Sequence, residues 1–256
     1  VMTTGRNREW ASGLTLAETS AARWPNTTAT LMLGTELAAA GRHDEALVHL
    51  RAAAADAQLP RAHYHLGVEL LNAGDLDGAQ RALQQFVAEQ PALLEVIPAR
   101  ALIGRTLAAQ SRWPEAIAAF EDVLQKAPGN DAARQLLVSA LGNHAAAEAA
   151  AGRLDVALPL FRRAADLAPN DAAVNRNYAT ALFDARNADT ALAPAERAVT
   201  LAPGDAAAHN LLGKIAAVRG DLPRAQAELA RAIELAPNDP QFKEDQARLR
   251  AALGGR

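Results

Sequence analysis

Acid–base, nucleophilic and metal chemistry all require convergent side chains, and this 256-residue sequence offers few of them. Its six histidines are His43, His49, His63, His65, His144 and His209. None forms an H-E-x-x-H motif. His65 and Glu69 share a helix face at i,i+4, yet no third ligand accompanies them. Cysteine is absent, which removes disulfides, zinc–thiolate centres and a thiol nucleophile. There is no G-x-S-x-G elbow and no glycine run able to cradle a phosphate. Carboxylates such as Glu45, Asp122 and Glu228 fall on helix faces expected to be solvated, as do the histidines, on surface or groove. The expectation is a non-enzyme with no catalytic residue, no metal and no cofactor.

The bulk properties narrow the partners. A net charge of −3 gives no basic field for nucleic acid. No run of about 18 uncharged apolar residues is present to cross a membrane. The opening Val1-Met2-Thr3-Thr4-Gly5-Arg6 has no apolar leader core, and a start at Val followed by Met suggests a cut or processed fragment. Lysine occurs only at Lys126, Lys214 and Lys243, a bias that, with the alanine content, matches GC-rich coding.

The elements that must position any site follow from alanine. Half of the residues are hydrophobic but only 4% are aromatic, and about a quarter of the chain is alanine. Alanine favours helix and disfavours strand, and it lacks the bulk to fill one thick core. Many thin helix–helix contacts are therefore expected. Internal spacing agrees. Pro169, Pro203 and Pro237 lie 34 residues apart, and Pro91 and Pro128 extend the series. Twelve residues before each proline stands an alanine: Ala79, Ala116, Ala157, Ala191 and Ala225, with Ala46 upstream. Twelve before that comes a small residue: Gly34, Gly67, Gly104, Ala145, Ala179 and Gly213. A turn residue sits five before the alanine: Gly41, Gly74, Gly152 and Gly220, replaced by Ser111 and Arg186 in two copies.

Each copy reads as two helices. In the last, a first helix over 207–219 stops at Gly220, a left-handed cap, and a second over 222–235 stops before Pro237. Asp131, Asp171, Asp205 and Asp239 are expected N-caps. Leu212, Gly213 and Ala216 should face Ala225, Leu229 and Ala232.

This pattern resembles the tetratricopeptide repeat (TPR) family: small at position 8, glycine near 15, alanine at 20, aromatic or Leu at 24, small at 27 and proline at 32. Phe120 and Phe161 are the aromatic forms of position 24. The resemblance implies an all-α, right-handed α-solenoid of about six helix-turn-helix units, 27–59, 60–93, 97–130, 138–171, 172–205 and 206–239. A tail and orphan half-repeat (1–26) would precede them, and a capping helix and tail (240–256) would follow. The family's early tryptophan slot holds Thr30, His63, Arg100, Leu141, Asn175 and His209, which should thin the contact there. Insertions at 94–96 and 131–137 predict a short turn over 92–96 and one long helix over 131–151, interrupting the regular superhelix. Residues 9–22 match a second helix through Trp10, Gly13, Ala17 and Ser20, followed by Pro25. The closing helix, 240–253, should turn Phe242, Leu249 and Leu253 inward and Lys243, Glu244, Asp245, Arg248 and Arg250 outward.

In this family the first helices line a concave groove that reads partner segments. Carried over, that stripe comprises Leu31, Thr35, Tyr64, Val68, Leu71 and Asn72 at one end. At the other it comprises Arg105, Arg176, Thr180, Phe183, Asp184, Asn210 and Lys214. Between them Gly142, Ala146, Ala149 and Ala150 leave a bald patch. The implied function is a protein-interaction scaffold binding a protein or peptide segment, with Arg176, Asn210 and Lys214 recognising an acidic or carboxylate end. The ordered Lys and Asn set of the chaperone-tail binders is not matched. A second resemblance, carried by residues 5–26, is to the junction before C-terminal repeats in bacterial multi-pass glycosyltransferase-like proteins. It implies an accessory domain on the extracytoplasmic side, whose catalytic part lies outside this chain.

Overall fold

The computed structural model describes residues 12–90 and 95–254, the last two by backbone only. Every described regular element is an α-helix. The chain divides into two compact units, Val1–Ala133 and Arg134–Arg256. The border falls in the helix that carries the seven-residue insertion.

The first unit contains α1 (Gly13–Arg23), α2 (Thr27–Ala39), α3 (His43–Ala54), α4 (Arg61–Asn72), α5 (Leu76–Glu89), α6 (Val96–Ala109) and α7 (Trp113–Lys126). Consecutive helices pack on one another, and α2 also touches α4, as α4 touches α6. α8 (Asp131–Ala150) spans the border. The second unit continues with α9 (Leu154–Leu167), α10 (Ala172–Asp184), α11 (Ala188–Leu201), α12 (Ala206–Val218), α13 (Leu222–Leu235) and α14 (Pro240–Gly254). Within it α10 touches α12, and α12 touches α14.

Close approach of paired axes is built on the small residues. A Cβ on Gly34 would meet Leu50 at 2.9 Å, one on Gly67 Leu83 at 2.6 Å, one on Gly104 Phe120 at 2.5 Å and one on Gly213 Leu229 at 2.8 Å. Each contact joins position 8 to position 24. The six position-20 alanines, Ala46, Ala79, Ala116, Ala157, Ala191 and Ala225, are completely buried. Position 27 departs from the small-residue pattern in two copies, where Phe86 and Val123 stand. Phe86 is accommodated because Val96 and Ala99 of α6 close over it. One residue of the 94–96 insertion thus becomes core. The rest of the expected turn at 92–96 lies largely outside the described residues.

The turns repeat one geometry. In the first pair the Gly41 and Arg42 amides donate to Ala38 and Leu37 carbonyls, and the same two hydrogen bonds recur at 74/75, 111/112, 152/153, 186/187 and 220/221. The conformation needs a positive φ: 77–82° at the four glycines, and 59° at Ser111 and Arg186, which pay the Cβ penalty.

Helix starts follow the acidic caps with one correction. Asp171, Asp205 and Asp239 accept from backbone amides two or three residues on. At the long helix Asn130 is the cap, accepting from Ala133, and Asp131 lies inside the first turn. The orphan helix starts at Gly13, capped by Ser12; its Ala17 is buried, while Trp10 lies outside the described residues. In α14 Leu249 is buried as expected. Asp245 is a correction, for it is only 7% exposed and points inward to Asn210. The Leu253 side chain is outside the described residues.

Two expectations follow. Gly104→Ala should lower stability by about 1–3 kcal/mol, because the fully enclosed Phe120 ring cannot yield, whereas Gly142→Ala, with open space around it, should raise stability by about 0.5–1 kcal/mol. Ser111→Gly and Arg186→Gly should each stabilise by roughly 1 kcal/mol. Urea unfolding of the four variants checks both; a stabilised Gly104→Ala would refute the close-packing account.

Candidate functional site

The first-helix stripe divides between the two units. In the first unit Leu31 and Leu71 are half-buried against the core of α2 to α5, so only part of each reaches solvent. The Thr35 hydroxyl donates to the Met32 carbonyl at 2.8 Å. Tyr64 leans on Phe86 with ring centroids 5.4 Å apart and meets the His65 ring edge-on at 5.5 Å. Val68 is half-buried, and Asn72 and Arg105 are exposed.

In the second unit the expected acid-recognising trio is reordered. Arg176 is ion-paired with Asp205 at 2.5 Å. Asn210 is 6% exposed and donates to Asp245 at 2.9 Å, so its amide serves the interior. Lys214 alone of the three keeps its charge off an internal carboxylate, its Nζ lying 5.4 Å from the Phe183 centroid. Thr180 donates to the Arg176 carbonyl, and Asp184 is exposed at the end of α10.

The bald patch is a recess. Gly142 and Ala146, with Val138 and Ser139 on α8 and Val174 and Asn177 on α10, line a cleft of ≈ 570 Å³. A second cleft, ≈ 380 Å³, opens beside Lys214 and Phe183, closed by Leu222, Leu229 and α14. Sequence reasoning missed both volumes. Beside the second, Val218 lies one helical turn after Lys214 and is 68% exposed.

Several polar residues lie elsewhere than expected. Glu69, 3% exposed, pairs with His43 of α3 at 2.6 Å rather than with His65 on its own helix. His209 is buried between the Glu228 carboxylate (2.6 Å) and the Pro203 carbonyl (3.1 Å). Asn175 fills the same slot one repeat earlier, donating to the Pro169 and Asp171 carbonyls. These groups tie the helix to its preceding loop, where a thinned contact was expected. Asp122 is drawn in between Arg100 and Lys126. Burial raises its pKa, and those two cations outweigh this and hold it below the usual carboxylate range. Glu45 stays exposed, gripped by the Arg42 fork. Among the described residues no three His, Asp or Glu side chains gather as a metal site, and no helix is long and apolar enough to cross a membrane.

The tetratricopeptide repeat model matches residues 64–131, 101–172, 143–206 and 179–240. This chain belongs to the tetratricopeptide repeat family. Among solved structures, the TPR protein is similar to the C-terminal part of a TPR repeat-containing protein from Cytophaga hutchinsonii, with a TM-score of 0.67 and 14% identity over 94% of this chain and 95% of that one. YrrB, described as a TPR protein with an unusual peptide-binding site, gives 0.55 and 18% over 77% and 97%. MamA from Desulfovibrio magneticus RS-1 gives 0.51 and 19% over 71% and 97%. Such identities establish the shared fold alone. Comparison with curated proteins gives no match. The glycosyltransferase-like junction gains no support from these likenesses, and residues 5–11 of it lie outside the described residues.

One titration is readable beside the stripe. Burial, reinforced by Arg61, holds His65 below its usual pKa. The unfolded chain therefore takes up the proton first as pH falls, so the contribution of neutral His65 is full above about pH 6.5 and declines below it. Thermal melting from pH 7.5 to 5.5 should show a falling midpoint, and His65→Gln should flatten the slope. An unchanged slope would assign the effect to other groups.

Proposed function

We propose that this TPR protein is a non-catalytic scaffold that binds a protein or peptide segment along the face of its first helices. The observation that carries this is the direct contact of alternate helices, α2 with α4 and α4 with α6 in the first unit, α10 with α12 in the second. Within each unit those contacts set the first helices of successive repeats side by side, which supports reading the stripe residues one repeat apart as one face. The first unit offers it half-buried Leu31, Tyr64, Val68 and Leu71, with Asn72 and Arg105 outside them. The second offers Phe183, Thr180, Asp184 and Lys214. Mixed apolar and amide-bearing surfaces of this kind suit extended or helical segments. With Arg176 and Asn210 engaged internally, acid recognition in the second unit rests on Lys214.

Peptides enriched from a random display library on the whole chain test the reading. Arg105→Glu or Thr180→Glu, both at exposed positions, should weaken the enriched peptides by roughly tenfold with the melting temperature retained. The outward-facing Gln226→Glu on α13 should leave them unchanged. Loss in Gln226→Glu with no loss in the first-helix variants would place the site on the second helices and overturn the reading.

A further inference from the structure

We propose that a cleft between the second helices of the first unit binds a phosphomonoester, gripped by Arg51 and Arg81 with His63 as a third donor. This inference is independent of the scaffold reading, which concerns the first-helix face.

The helix pairing assembles the cleft. Arg51 stands on α3, His63 in the first turn of α4, and Arg81 and Gln85 on α5. Because α4 packs on both α3 and α5, residues of all three elements line one recess of ≈ 470 Å³, within the size range of small-ligand sites. Its back is apolar, formed by the buried Leu66, Leu70 and Ala82. An apolar back lowers the local dielectric and strengthens the attraction between a cation at the rim and an anion inside.

Charge decides what enters. Most guanidiniums of the first unit are already engaged: Arg42 by Glu18 and Glu45, Arg61 by Glu95, Arg100 by Asp122 and Arg112 by Glu115. Arg51 and Arg81 are exposed and pair with no carboxylate among the described residues, and both line this cleft. The one carboxylate in the lining is Asp75, which accepts from the Gly78 amide at 2.8 Å and is committed to capping α5. His63 Nδ1 lies 3.4 Å from the Glu89 carboxylate, and neither that nitrogen nor that oxygen makes a hydrogen bond although both are buried. With Nδ1 beside Glu89, Nε2 is the ring nitrogen left to serve a ligand. A doubly charged anion there favours the imidazolium, whose Nδ1–H can then be given to Glu89, so binding satisfies a buried pair that is otherwise left short.

Two guanidinium forks select the anion. A single fork already saturates a carboxylate, whereas a phosphomonoester brings about two negative charges and three acceptor oxygens, enough for both forks and the imidazole. Gln85 adds an amide donor at the same wall. The net charge of −3 gives anions no general attraction to the molecule, so retention has to come from this local set.

The test titrates the isotope-labelled whole chain, at fixed ionic strength, with glycerophosphate, with N-acetyl phosphoserine amide and with acetate. Both phosphates should shift the Arg51 and Arg81 Nε–H, His63 ring and Leu66 and Leu70 methyl signals, and acetate should bind at least roughly tenfold more weakly. Arg51→Gln and Arg81→Gln should each weaken phosphate binding on the order of tenfold with the melting temperature retained, since both side chains are exposed. Arg231→Gln, which removes an exposed guanidinium from a second helix of the other unit, should leave it unchanged. Tighter binding of glycerophosphate supports the site with a small molecule as its source, and tighter binding of the phosphoserine amide supports it with a phosphorylated protein as its source. Acetate binding equal to phosphate, a loss in Arg231→Gln equal to that in Arg51→Gln, or shifts that miss these residues overturns the proposal.

Discussion

Everything in this TPR protein depends on how closely the two helices of a pair approach. Where position 8 is glycine, the facing Leu50, Leu83, Phe120 or Leu229 occupies the space a Cβ would need. The buried position-20 alanine on the opposite helix completes the contact. Core density is thus reached by setting a few large side chains in each pair into gaps left by small residues, the reverse of a thick core built from many bulky ones. That is why a chain so poor in aromatics packs. The alanine-rich composition follows from many thin seams, each of which needs small residues.

Around those seams the polar groups divide into two kinds. Asn175 and His209 reach back to the carbonyls of Pro169 and Pro203, and Asn210 holds Asp245, so buried polar atoms become ties between a helix and the neighbouring loop or helix. Unpaired, each would carry a desolvation cost; bonded, each fixes a register. The second kind are exposed links about one repeat apart, such as Arg61 to Glu95 and Arg219 to Asp189. These contribute little stability in water.

The same division shapes the candidate binding face. Two of the three residues expected to recognise an acid, Arg176 and Asn210, lie against internal carboxylates, while Lys214 lies over the Phe183 ring instead. The alanine-rich stretch of α8 is equally changed in meaning. The small residues Gly142 and Ala146 leave a volume beside Asn177.

Much of the fold was legible because its determinants are local. Gly41, Gly74, Gly152 and Gly220 announce left-handed turns, prolines end the second helices, and the period of small residues gives the pairing face. Even Ser111 and Arg186 were readable as occupants of a turn slot, since backbone geometry repeats whatever side chain sits there. What the sequence could not supply is the partner of each polar side chain. His43 meets Glu69 across 26 residues, and Asn210 meets Asp245 across 35. Those meetings depend on the angle and offset at which successive pairs stack, a property of summed packing contacts rather than of any local spacing. The sequence by itself therefore determined the helices, their turns and which apolar faces pair within a repeat. The tertiary structure alone decided which charges are satisfied inside, where space remains, and that Lys214 is left facing it.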